Sequence, residues 1–419
     1  MDTSTKRWSI LVACCFINLC VGSMYAWSVF SAPMADYLNQ LHGSHLTGAD
    51  LAIVFIVCNS VGPITMITGG KINDTFGPKT VIFIGGLMFG GGMFLCGMAT
   101  EVKHLVWAYG LLTGLGLGMV YGATISTCIK YFPDKRGLVG GLTTAIFGIS
   151  SVILPPIASL ITENMGVIAS FKIIGAAFII IVCGSAFFIS KCPDNYKPAG
   201  WNLDANKAKG SKTVDKNWRQ MLASPMFYVL IVMLTSGAVA GMMCIALAAP
   251  MAQRMIGMST AAATAVVSTL ALFNVCGRVI AGWLSDRIGR NNTLALALLF
   301  TMFGLYSLYI SGQGDITSFY IGICLVGGCF GAFMGVFPGF TTDQFGTRHN
   351  SVNFGIMFIG FAIAGYTGPT IMHSILTSTG SFKTSFLVGI AFSFVGLVLS
   401  FVYRALNNRA QLQLNYKTQ

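Results

Sequence analysis

The sequence predicts an all-α membrane protein with twelve transmembrane helices in two pseudo-symmetric six-helix halves, and three observations predict it. Only 9% of the 419 residues are charged against 54% hydrophobic, and the mean hydropathy is +0.74. Soluble domains carry about a quarter charged residues, so most of this chain must face lipid or other helices. The apolar residues are gathered in twelve separate runs, and one short polar motif occurs twice, once in each half. The 50 glycines fit the same class, because a glycine in a membrane helix lets two backbones approach closely.

A bilayer core takes about 20 mostly apolar residues per helix. Runs of that kind lie near 8–34, 47–69, 80–99, 104–130, 138–161 and 167–190, which make a first half over 1–190. Six more lie near 226–250, 260–282, 293–312, 317–340, 351–376 and 384–403, a second half over 226–404. Between them, 191–225 is rich in Lys, Asn, Gly and Pro and cannot bury enough apolar surface to fold alone. It reads as a cytoplasmic linker whose basic charge holds it near anionic lipid headgroups. Residues 405–419 read as a cytoplasmic tail. Lys6 and Arg7 before the first run resemble a signal peptide, but that run is too long and has no clear cleavage site, so it is expected to stay as a span.

With the N-terminus in the cytoplasm, every Lys and Arg falls inside except Lys103, Lys172, Arg254, Lys383 and the intramembrane Arg278. This bias places both termini and the linker on the cytoplasmic side of the plasma (inner) membrane. The formal charge of +12 is therefore topology and not a nucleic-acid surface, since no soluble face carries a basic stripe. Of the 12 cysteines only Cys192 lies in a loop, and there is neither a C-x-x-C pair nor a Cys/His cluster. No metal, no cofactor and no enzymatic centre is expected, and the chain is expected to be a monomer.

The repeated motif is G-x-x-x-D-x-x-G. It runs Gly70, Asp74, Gly77 after the second span and Gly282, Asp286, Gly289 after the eighth, with Arg287 and Arg290 in the second copy. Recurrence at the same place in each half is the trace of parallel repeats. By itself the motif reads as a tight turn with solvated charges. It resembles the loop signature of the major facilitator superfamily, and the resemblance covers essentially the whole chain. In that family the aspartate caps a neighbouring helix and holds a cytoplasmic gate closed.

Within the superfamily the chain resembles the oxalate/formate antiporter group and, next to it, the monocarboxylate transporters. The residues that carry this are Gly22 to Trp27 in span one, Tyr121, Tyr131 to Gly137 after span four, Asn274 with Arg278 in span eight, Phe337-Pro338, Asp343 to Gly346, and Asn353-Phe354-Gly355. An arginine at a helix centre costs about 2.5 to 3.5 kcal/mol on insertion scales, and a guanidinium grips a carboxylate by two parallel bonds. Arg278 is thus expected to anchor an anionic substrate, as the resemblance also implies. The packing alternative pairs it with backbone carbonyls or sends it toward Asp286.

Asn274 shares a face with Arg278 one turn away, where many monocarboxylate transporters carry an aspartate. Aligned on Asn353-Phe354-Gly355, the resemblance puts Phe361 where the oxalate/formate antiporter has a second cation. A dicarboxylate would leave one charge unpaired there, at a cost of several kcal/mol, so a monocarboxylate fits better. Tyr25, Tyr121, Phe330, Met334 and Phe361 lie on spans that line the superfamily's cavity, and His104 and His373 at outer span ends read as interfacial. The expectation is a secondary transporter of a small organic anion of the lactate, pyruvate or formate type. Protons would couple by riding on the substrate. Exchange of oxalate for formate, or of another dicarboxylate, is the alternative, and a non-transporting membrane sensor is the alternative of another class.

Overall fold

Each apolar run folds as a helix because no water reaches the bilayer core, so every backbone N–H must find its carbonyl within the same segment. The computed structural model describes residues 3–48, 50–193, 196, 198 and 215–416, and the side chains of 3–5, 25 and 410–416 lie outside that description. Among the described residues there is no strand. Among the described residues, twelve helices are long and apolar enough to span: α1 Lys6–Met24, α2 Ala52–Phe76, α3 Pro78–Cys96, α4 Val102–Tyr131, α5 Arg136–Met165, α6 Val167–Ala186, α7 Pro225–Ile256, α8 Thr260–Ile288, α9 Arg290–Ile310, α10 Ile316–Phe345, α11 Asn350–Thr379 and α12 Lys383–Arg409.

Several helices overrun their apolar stretch. The helical path of α1 continues through a 3₁₀ turn at Gly22–Ala26 into a segment reaching His42. The helix of α2 runs to Phe76 and that of α8 to Ile288, so Asp74 and Asp286 sit in last helical turns and not in loops. The connections that follow are single residues, Gly77 with φ 95° and Gly289 with φ 91°, a backbone that a side chain would strain. In α7 the backbone breaks at Leu247, three residues before Pro250, whose ring cannot fit over the preceding turn. Part of the expected linker is also helical: Trp218–Leu222 starts with a capping box between Asn217 and Gln220. Residues 194, 195, 197 and 199–214 of it lie outside the described residues.

The helices group into two units by their contacts. The first holds residues 1–133, 146–199 and 348–356, and the second holds 134–145, 200–347 and 357–419. Compared with a division at 191–225, they group the start of α5 with the second half and the start of α11 with the first. Inside each unit the neighbours recur. The pairs α2 and α4, α3 and α4, α3 and α6, α1 and α4, and α1 and α6 of the first correspond to α8 and α10, α9 and α10, α9 and α12, α7 and α10, and α7 and α12 of the second. Of its most apolar window, 83% is buried in α4 and 72% in α10, against 28% in α2 and α8, so α4 and α10 are the inner helices. Large apolar side chains such as Phe16, Ile64, Trp107, Ile180, Phe303 and Phe401 are exposed, as lipid-facing positions should be.

Candidate functional site

Arg278 stands in the second half of α8 and is only 5% exposed. Its Nε donates to Asn274 Oδ1 at 3.0 Å, one turn back on the same helix, and its Nη1 donates to the carbonyl of Thr144 at 2.6 Å. One of these two partners is a backbone carbonyl, the arrangement expected of a packing arginine. Both of these partners are uncharged oxygens, which orient the guanidinium. Asp286, the acid toward which the side chain could have turned, is bonded to other groups described below. Glycines allow this density: β-carbons at Gly331 and Gly335 of α10 would strike the Asn274 and Arg278 carbonyls, and one at Gly141 of α5 would strike the Arg278 carbonyl.

The expected lining residues divide between the units. Phe330, Met334 and Phe361 fall with Arg278 and Asn274 in the second. Phe330 and Met334 are buried one turn apart on α10, and the Phe330 ring packs into the space left by Gly241 of α7. Its centroid lies 6.0 Å from that of the half-buried Phe361, which stacks on Phe358 at 4.7 Å. Tyr121 belongs to the first unit, buried on α4 with its ring 4.7 Å from Phe147. Tyr25 lies in the 3₁₀ turn of the α1 path, and its side chain is outside the described residues. His104 bonds the Thr100 hydroxyl at 3.2 Å, and His373 is exposed.

The second copy of the motif builds one polar cluster. Asp286 accepts the backbone N–H of Gly137 at 2.9 Å and of Leu138 at 2.8 Å, capping the start of α5. A carboxylate there satisfies donors that have no carbonyl within the helix and meets the positive end of the helix dipole. Gly282, one turn before Asp286 on the same face, is what allows the approach, because a β-carbon on it would strike the Gly137 carbonyl. Arg290 bonds Asp286 at 2.7 Å and reaches Asp343 at 2.9 Å, and Asp343 also accepts from Arg136 at 2.6 Å. Arg287 is not in this cluster. Its guanidinium lies 3.9 Å above the ring of Trp283.

The first copy repeats the device on α11. Asp74 faces the N–H groups of Ser351 at 3.4 Å and Val352 at 3.3 Å, and its Oδ1 lies 2.8 Å from the Ser351 hydroxyl and from Lys130 Nζ. Gly70, one turn earlier, brings the backbones together: a β-carbon on it would lie 2.8 Å from Ser351 C. Asn73 and Ser126 add further bonds of 2.8 Å to the Ser351 hydroxyl, and Asn350 bonds Ser126 at 3.1 Å.

Sequence reasoning did not single out Thr144, Lys130, Ser126, Asn73 or Ser351 as site residues. Thr144 acts through its main chain, which carries no residue signature. Arg136 and Asp343 stood within the family-like segments, and their charge at a helix end was a signal, but their pairing through Arg290 was not readable.

A profile describing the Major Facilitator Superfamily matches residues 12–369 and 238–416. The chain is 29% identical over 402 residues to the oxalate:formate antiporter of Oxalobacter formigenes, covering 94% of this chain and 91% of that protein. It is 25% identical over 433 residues to human monocarboxylate transporter 12, covering 98% and 82%. Among solved structures it resembles the E. coli fucose:proton symporter FucP, with a TM-score of 0.67 at 16% identity over 93% of this chain and 98% of that one. That likeness is one of fold.

Proposed function

The chain belongs to the major facilitator superfamily, and on that premise we propose that it is a secondary transporter of a small monocarboxylate, of the lactate, pyruvate or formate type. One observation carries the reading: a guanidinium buried to 5% exposure in a membrane helix, held in place by two neutral oxygens. A charge buried in a membrane helix costs free energy unless a function needs it, and a guanidinium grips a carboxylate in a paired, planar way. Phe330, Met334 and Phe361 supply apolar surface suited to a methyl or hydroxyethyl group. Phe361 offers no second cation, which sets a monocarboxylate above a dicarboxylate. Tyr25 and Tyr121 are assigned as contacts from the first half.

Asp74 and Asp286 are assigned to the cytoplasmic gate, each releasing the helix start it caps when that side opens. Transport proceeds by alternating access, and coupling protons ride on the substrate, because no ionisable acid is placed well inside a span. The protein is assigned to the plasma membrane with both termini inside, as a monomer with no enzymatic role and no nucleic-acid partner. Counterflow in proteoliposomes tests this. Internal radiolabelled lactate should drive or accept exchange with external lactate, pyruvate and formate, and internal pH should follow net uptake. Failure of every monocarboxylate to exchange would sink the reading. A second reading, oxalate/formate exchange, draws support from the 29% identity to the Oxalobacter formigenes antiporter over nearly the whole chain. Exchange of oxalate in preference to lactate in the same assay would establish it instead.

A further inference from the structure

The turn between α2 and α3 is a basic corner with no free acid to balance it. Lys71, Phe76 and Lys79 are exposed on either side of Gly77. Lys191 lies across the turn: a β-carbon on Gly77 would meet the Lys191 β-carbon at 3.1 Å, and Lys191 Nζ donates to the Thr75 carbonyl at 3.1 Å. Lys79 Nζ stands 4.6 Å from the ring centroid of Phe187, just past the end of α6. Within 70–80 and 186–193 the only acid is Asp74, which is 7% exposed and already paired with Lys130. Lys79 and Lys191 have no ion pair among the described residues.

The aromatic surroundings set the depth. Phe76, Phe187 and Phe188 are 76%, 62% and 72% exposed, at the ends of α2 and α6. Aromatic rings and lysine stems at span ends sit at the headgroup level of a bilayer, with their apolar bodies toward acyl chains and the ammonium toward phosphate. A soluble anion would meet the lysines only, whereas a phospholipid uses the rings as well. A lysine ammonium has three donors, so Lys191 keeps two beyond the Thr75 bond. The second unit shows that the repeat does not demand this exposure. There Asn291, two residues after Gly289 as Lys79 is after Gly77, donates inward to the Ser400 carbonyl at 3.1 Å, and Arg290 is held by Asp286 and Asp343.

We propose that the α2–α3 turn and the end of α6 form a binding site for an anionic phospholipid, with its phosphate on Lys79 and Lys191 and its acyl chains against Phe76, Phe187 and Phe188. Lys71, one turn before Thr75 on α2, adds to the positive field without a bond of its own. The site is independent of what Arg278 binds.

Native mass spectrometry of the full chain in an uncharged detergent tests it, with phosphatidylglycerol and phosphatidylcholine of identical chains as probes and the first lipid bound as the readout. Phosphatidylglycerol should bind more tightly. Lys79→Gln and Lys191→Gln should each weaken it about fivefold, and together about twenty-five-fold, while phosphatidylcholine binding stays the same. Lys79→Arg should bind as wild type does. If the Lys191 variant does not accumulate, Lys79→Gln carries the test alone, since that ammonium rests on an exposed ring. Equal affinity of wild type for the two lipids overturns the site, as does phosphatidylglycerol binding that Lys79→Gln leaves unchanged. Displacement of phosphatidylglycerol by glycerol 3-phosphate at a comparable concentration overturns the assignment to a lipid and leaves a site for a soluble phosphate.

Discussion

Lys130 and Asp343 stand in the last turns of α4 and α10 with opposite charge, and each completes the surroundings of one capping aspartate. Lys130 Nζ reaches Asp74 directly at 2.8 Å. Asp343 reaches Asp286 only through Arg290, which it binds at 2.9 Å while also holding Arg136 at 2.6 Å. The two repeats thus keep the capping acid and change the charge relay behind it. In the first unit the acid has one cation, and in the second a chain of alternating charges spreads the load.

This difference makes the first cluster the more fragile. Asp74 is 7% exposed and Lys130 20%. Lys130→Met should lower stability by about 2 kcal/mol, short of the 3 to 5 of a fully buried broken pair because Lys130 still meets solvent. Adding Asp74→Asn should recover part of the loss, since the stranded charge is gone. Thermal midpoints in detergent measure both, and a single variant as stable as wild type would show that the pair contributes nothing.

The motif glycines are predicted to act through contact distance. Gly70→Ala places a methyl about 2.8 Å from the Ser351 backbone, and overpacking of that kind costs about 1 to 3 kcal/mol. The α11 start should then lift from α2. Labelling of a cysteine at Val352 by a water-soluble reagent, in a background without the native cysteines, should quicken at least about fivefold. Equal labelling rates would remove the gating role from Gly70.

Arg278→Ala should abolish lactate counterflow while the protein still reaches the membrane and elutes as a single species. Arg278→Lys should retain charge but lose the paired geometry, leaving transport at least about tenfold slower. Normal transport by either would end the anchor assignment.

Phe361→Lys adds a cation to the unit that holds Arg278. Preference should move from lactate toward oxalate, read as the ratio of exchange rates for the two anions. A ratio equal to that of wild type would show that this position of α11 does not select substrate.

Much of this arrangement could be read from the chain. The G-x-x-x-D spacing places Gly70 with Asp74, and Gly282 with Asp286, on one helix face one turn apart. That gives a close approach and a cap side by side before any partner is known. The position of Arg278 within an apolar run, and of Asn274 one turn before it, follows from the same periodicity. The partners were not readable. Nothing local to Asp286 names Gly137 and Leu138, which lie 149 and 148 residues away. The sequence also suggested that Arg287 belongs with the gate, but its stacking on Trp283 turns it from the cluster that Arg290 enters.

Hydropathy and helical period are local properties, so the chain by itself determined twelve helices, two repeats and the faces on which the chemical groups stand. Which backbone atoms those groups meet is a property of packing between segments more than a hundred residues apart. Only the tertiary structure decided that the Thr144 carbonyl takes a bond from Arg278 and that the starts of α5 and α11 end beneath Asp286 and Asp74. A main-chain oxygen or N–H is the same in every residue, and its role appears only when a neighbouring helix is brought within bonding distance.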